Sequence, residues 1–210
     1  LPDSPALEER FGRPGASRGA SSSPQLRLLT LTETGTHAIF AIAFDRCAVG
    51  EARLAPDLLH QLQPGMLCLA DRAFVGFELW RTATASGGDL LWRMRKNQIL
   101  PCSERLPDGS YLSRLYASPK DRRHDLGGVT VRVVEYRLEG VPDAEPLYRL
   151  MTTLLDPADA PAAELAAMYH ERWESEGAFA ELKVSLPGQR LIAGRIWPSR
   201  NSTACCWRIS

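Results

Sequence analysis

Long apolar runs are missing from these 210 residues, and none reaches the eighteen or so consecutive apolar positions of a membrane-spanning helix. Leu1 to Gly12 has neither a basic start nor an apolar stretch, so it does not read as a secretion signal. A cytoplasmic protein with no membrane partner is therefore expected. Metal-binding cysteine pairs are also missing. Cys47, Cys68, Cys102, Cys205 and Cys206 are odd in number and lack C-x-x-C spacing, so they read as ordinary thiols. There is no excess of charge, since 25 Lys and Arg balance 25 Asp and Glu, and any contact with DNA has to come from local patches. No internal repeat is visible. What remains, 44% apolar and 24% charged residues, is the composition of a globular domain with a core.

Residues 1–24, with four prolines and three glycines, predict an irregular arm. Gln25–Glu33 and His37–Asp45 are β-prone and joined by Thr34-Gly35-Thr36, the pattern of a hairpin. From Glu51 to Leu62 the apolar positions Leu54, Leu58, Leu59 and Leu62 recur at helical spacing, until Pro64-Gly65. A short apolar strand (Met66–Asp71), a helix (Phe77–Ser86) and a second strand (Asp89–Asn97) then predict a parallel α/β unit. Residues 98–145 read as a β-rich insertion around the polar segment PKDRRHDLGG, and Pro146–Leu155 as a strand returning to the main sheet. A long helix is expected from about Pro161 to Leu186, with Asp159 as its cap. Residues 187–210 show neither helical nor strand periodicity and read as a degenerate or disordered tail with no core to join.

The chemistry concentrates in YHERWESEGAFAELK, where Tyr169, Arg172, Glu176 and Lys183 fall at offsets 0, 3, 7 and 14. At about 100° per residue they project near 0°, −60°, −20° and −40°, within one strip about 60° wide. Glu171, Glu174 and Glu181 project elsewhere, at about 200°, 140° and 120°. One carboxylate thus shares a face with a guanidinium, an ammonium and a phenol. A carboxylate can hold a divalent ion while Arg and Lys grip phosphate oxygens. The same strip is equally compatible with a salt-bridged amphipathic helix, Arg172 and Glu176 being an i,i+4 pair. Asp71 closes the run MLCLAD, and an acid at the carboxyl end of a buried parallel strand points to where α/β sheets bind ligands. It could equally begin a turn.

Taken together, these features resemble the DDE-type insertion-sequence transposases. Tyr169, Arg172, Glu176 and Lys183 match the Y-x-x-R-x-x-x-E-x-x-x-x-x-x-K signature of one subgroup. ADRAF (Ala70–Phe74) is similar to the second-aspartate motif, and it is followed by a helix and a strand ending in Arg93, Arg95 and Lys96. FGRPGASRG (Phe11–Gly19) is similar to the stretch after the first aspartate. The resemblance implies an α/β, ribonuclease-H-like catalytic domain over residues 25–186 with its insertion at about 98–145. It implies Asp71 and Glu176 as catalytic and metal-binding carboxylates for Mg²⁺ or Mn²⁺, and Tyr169, Arg172 and Lys183 as phosphate contacts at the transposon end. DNA would be the partner and a homodimer the assembly of the intact relative. Arg122, Arg123 and His124 of the insertion are candidate DNA contacts, or a basic loop on a solvated face. Trp92 reads as a core residue before a base-stacking one.

In the family the first aspartate lies on the first strand, upstream of a PDSP-like stretch such as the one at Pro2–Pro5. It is not among these residues, and Asp3 lies beyond the strand and is no substitute. The first strand is thus expected to be missing, leaving unpaired edges on Gln25–Glu33 and Met66–Asp71, lower stability, and a fragment inactive in strand transfer. Two other readings stand beside it: a non-catalytic remnant that binds DNA or forms mixed dimers, and an unrelated α/β phosphohydrolase with Asp71 as nucleophile.

Overall fold

The structure, a computed structural model, describes residues 1, 3–16, 19–21, 23–36, 38–138, 140, 144–171 and 204–208. The arm is not irregular. Ser4 accepts a hydrogen bond from the Leu7 N–H (3.4 Å) and Pro5 sits in the first turn of α1 (Pro5–Phe11), which Gly12 ends at φ 77°. Strands β1 (Gly15–Ala16) and β2 (Gly19–Ala20) then form a small antiparallel pair. The proline and glycine that argued against structure are instead the start and stop of a helix.

The hairpin is present as β3 (Leu26–Glu33) and β4 (Ile39–Arg46), antiparallel from Leu26↔Arg46 to Thr32↔Ile39 with an irregularity between Leu31 and Thr32. Helix α2 (Glu51–Leu59) buries Leu54, Ala55, Leu58 and Leu59. Strand β5 (Met66–Ala70), helix α3 (Phe77–Thr84) and strand β6 (Asp89–Arg93) make the expected parallel unit, in register from Leu67↔Asp89 to Ala70↔Trp92. Trp80 on α3 and Trp92 on β6, both fully buried, meet edge to face with ring centroids 5.2 Å apart. Trp92 is a core residue.

The insertion supplies β7 (Glu104–Arg105), β8 (Tyr111–Leu115) and β9 (Val129–Tyr136), and β10 (Tyr148–Thr152) pairs antiparallel with both β9 and β6, returning the chain to the main sheet. The polar connector holds a helix the sequence did not predict, α4 (Pro119–His124). Ser118 accepts from the Asp121 N–H (3.2 Å), and Asp125 ends the helix in the left-handed conformation at φ 51°. Helix α5 (Ala162–Glu171) forms within the span expected to be a long C-terminal helix; Arg172 to Leu186 lie outside the described residues.

Strand β11 (Ala204–Arg208) corrects two expectations. It pairs parallel with β3 and antiparallel with β5, in the order β4-β3-β11-β5-β6-β10-β9-β8-β7. Part of the segment expected to be a tail therefore lies inside the sheet, and the edges of β3 and β5 expected to be unpaired are bonded to it. The physical reason is that two facing rows of backbone donors and acceptors are satisfied by any extended segment that reaches them. The result is a mixed α/β sheet. Leu29, Leu31, Cys68, Ala70, Leu90 and Trp92 face α2 and α3, and Leu67, Leu69, Leu91, Val134 and Leu150 face α5. Among the described residues, no helix is long and apolar enough to cross a membrane.

Candidate functional site

Two parallel neighbouring strands end on the same edge of the sheet, so β5 and β6 deliver Asp71-Arg72 and Arg93 to Lys96 to one place. Strand alternation also fixes the face. Asp71 follows Leu67 and Leu69, and Arg93 follows Leu91, which puts both on the side covered by α5. The Asp71 carboxylate accepts a hydrogen bond from the Ala73 N–H (2.7 Å), so it does begin a turn, as one of the two sequence readings held. Turn-making and ligand-holding are compatible, because a carboxylate has lone pairs to spare for both.

Around Asp71 the charge is positive. The Glu145 carboxylate is met by the Arg93 guanidinium at 2.9 Å, the Arg72 guanidinium at 3.2 Å and the Lys96 ammonium at 3.4 Å, while Arg95 donates to the Arg72 carbonyl at 3.3 Å. Arg93 also lies over the Tyr148 ring, 4.6 Å from its centroid. Burial raises the Glu145 pKa, but the charge and hydrogen bond of Arg93 and those of Lys96 outweigh it, and the net position is below the ordinary carboxylate range. Three cations thus share one anion. Sequence reasoning found Arg93, Arg95 and Lys96 but missed Glu145 and Arg72: a lone glutamate in an insertion gives no local signal, and Arg72 was visible only as part of ADRAF.

Helix α5 brings Tyr169, the first residue of the signature, to this edge. It starts near β9 and crosses Val134, Leu150, Leu91 and Leu67 toward the end of β5, with Leu165 and Tyr169 inward. Tyr169 is 2% exposed and its hydroxyl donates to the carbonyl oxygen of Ala70 (3.3 Å), one residue before Asp71. Its neighbour His170 stands edge-on to the stacked pair Tyr136 and Tyr148, with centroids at 5.5 and 6.1 Å. Tyr169, expected to contact phosphate, is thus used at least in part to seat the helix on the strand.

The structure does not bring Arg122 and Arg123 to Asp71. They occupy the exposed last turn of α4, which joins the end of β8 to the start of β9. Strand directions put that connection at the opposite edge of the sheet from Asp71, and β8 is four places from β5, about 19 Å at the usual strand spacing. Arg172, Glu176 and Lys183 lie outside the described residues.

Asp71 offers the hard oxygen donor that Mg²⁺ or Mn²⁺ prefers, so its chemistry fits such an ion. Among the described residues, however, no group of three or more His, Cys, Asp or Glu side chains gathers as a metal site.

Comparison with known proteins agrees with the geometry. The family described as "Transposase DDE domain" matches residues 3–191. A curated relative, the transposase InsG for insertion sequence element IS4 of Escherichia coli (strain K12), is 27% identical over 195 residues, which cover 90% of this chain and 43% of that protein. The chain thus spans less than half the length of this relative. With the match covering most of its residues, and with the acid, the basic strand end and the signature tyrosine meeting at one sheet edge, the chain belongs to the transposase DDE domain family.

Proposed function

We propose that this chain is the catalytic part of a DNA transposase with a ribonuclease-H-like core, carrying out metal-dependent nicking and strand transfer at transposon ends. The observation that carries the reading is the hydrogen bond from Tyr169 to Ala70, which anchors the signature helix beside Asp71. Glu176 follows Tyr169 by seven residues, two helical turns, and on sequence period shares its face. Asp71 and Glu176 would hold Mg²⁺ or Mn²⁺, which would activate the oxygen nucleophile and stabilise the charge of an in-line displacement. The protein's own part is to hold the strand. Arg93, Arg72 and Lys96 supply cations beside Asp71, and Arg172 and Lys183 would add two more from the helix face. Transposon-end DNA is the proposed partner, and a homodimer the proposed assembly of the whole transposase.

Two carboxylates make an incomplete two-ion site, so the 210-residue chain by itself is proposed to be inactive in strand transfer. Incubating the purified chain with Mg²⁺ and transposon-end DNA is expected to give no joined product. Robust joining would show that Asp71 and Glu176 suffice and would overturn this part of the reading.

Binding is a separate matter, and the cation cluster supports a second reading in which this chain holds DNA without cutting it. The cluster is already tuned for an anion, and Glu145 competes with phosphate for it. Glu145→Gln is expected to raise affinity for duplex DNA about three- to fivefold at low salt, with the gain shrinking as salt rises. Asp57→Asn, exposed on α2, is the control for mere loss of a negative charge. Equal gains from the two variants would show that the cluster does not contact DNA.

A further inference from the structure

A guanidinium in the middle of a β-strand is an unusual core residue, and Arg132 on β9 is fully buried. Its hydrogen bonds tie two segments together. Nε donates to Ser110 Oγ at 2.8 Å, and Nη1 donates to the carbonyls of Ala160 (2.7 Å), Leu154 (3.2 Å) and Asp156 (3.3 Å), all in the link from β10 to α5. Nη2 is paired with the Asp108 carboxylate in the turn between β7 and β8. Asp108 in turn accepts from the Ala162 N–H, the first residue of α5, at 2.9 Å, and from both the N–H and the hydroxyl of Ser110.

We infer that Asp108 and Arg132 are positioning residues for α5: they fix where the helix starts on the sheet and so which of its residues reach the end of β5. The inference rests on the transposase reading only for its consequence at the active site. Asp108 takes one of the N–H groups that a helix start leaves without a partner, and its charge is favourable at that end of the helix. Arg132 gathers the carbonyls of the preceding link, so the chain enters the helix at one fixed point. Tyr169 lies seven residues on, about 10.5 Å along the axis and on the same side as Ala162. A slip of one residue would turn the helix by about 100° and carry the tyrosine away from Ala70. Arg132 is buried while Asp108 is reached by solvent, and such a pair gains little net stability over apolar packing, which suits a role in setting register more than one in adding stability.

Burial raises the Asp108 pKa, but the Ser110 hydroxyl, the Ala162 and Ser110 N–H groups and the charge of Arg132 together bring it below the ordinary range. Its stabilisation is therefore present above the usual carboxylate pKa and is lost as pH falls through the lowered one.

The test uses the whole 210-residue chain with Asp108→Ala and Asp108→Asn. Amide hydrogen exchange at Ala162–Glu171 should quicken about five- to tenfold in Asp108→Ala, while exchange at Tyr148–Thr152 on β10 stays at the wild-type rate. Asp108→Asn, whose amide oxygen can still accept from Ala162, should recover most of the protection. Exchange rising equally in α5 and β10, no change in Asp108→Ala, or Asn behaving as Ala would each overturn the inference. Mn²⁺ titration well below the melting temperature extends the test to the site, with about tenfold weaker binding expected in Asp108→Ala. If the variant matches a wild-type chain that binds Mn²⁺, the positioning claim fails. If the wild-type chain binds no Mn²⁺, the active-site reading fails while the exchange result still decides the placement of the helix.

Discussion

Asp71→Asn is expected to weaken Mn²⁺ binding by about one to two orders of magnitude while leaving the fold intact. The expectation follows from what the substitution keeps and what it removes. Asparagine retains an oxygen that can accept the Ala73 N–H, so the turn after β5 loses little. It removes the negative charge, which a hard divalent cation needs more than it needs an oxygen atom. Asp71→Ala removes both and is expected to lower stability by about 1 kcal/mol in addition. A calorimetric or paramagnetic Mn²⁺ titration measures the first effect and thermal unfolding the second. Asp71→Asn binding as tightly as wild type would mean that Asp71 only makes a turn, and the metal-dependent reading would lose its described ligand.

The parts of this molecule that were legible in the sequence are those whose signal is local. The hairpin β3–β4 and the unit β5-α3-β6 announce themselves by apolar alternation, helical spacing and the breakers between, and the structure contains both. Helix α1 is hidden because its proline and glycine also read as breakers, and α4 because its polar, basic residues read as a connector between strands, whereas Ser4-Pro5 and Ser118-Pro119 are cap and first turn. Strand β11 could not be read at all. Its pairing joins Cys206 to Glu33 and Cys68, far apart in the chain, and nothing in the five residues themselves specifies those partners.

The candidate site divides in the same way. Asp71, Arg93, Arg95 and Lys96 follow from strand ends, and Tyr169 from helical spacing, but that Tyr169 bonds to Ala70 depends on which way α5 crosses the sheet. The basic run at Arg122-Arg123 was equally visible, yet strand direction places it at the other edge. Glu145, Asp108 and Arg132 matter through partners dozens of residues away, and a sequence pattern carries no signal for such pairs.

Trp92→Ala is expected to cost about 3–5 kcal/mol, a large share of the 5–15 kcal/mol that holds a typical domain together. The ring is completely buried, packs edge-on against Trp80, and borders a small apolar cavity shared with Leu29, Leu58, Ala70 and Phe74, so its removal enlarges a void that its neighbours do not fill. Its indole N–H has no hydrogen-bond partner among the described residues, so the side chain is held by shape and not by its polar atom. That makes Trp92→Phe the informative control. It keeps an aromatic ring against Trp80 and removes the unpaired N–H, and the loss should fall to about 1–2 kcal/mol. Urea denaturation measures both variants, and DNA affinity of the folded Trp92→Phe chain should equal that of wild type, because a ring sealed between α3 and the sheet has no face to offer a base. A fall in DNA affinity at unchanged stability would mean that the sheet opens to expose this tryptophan, and that its burial describes only the DNA-free chain.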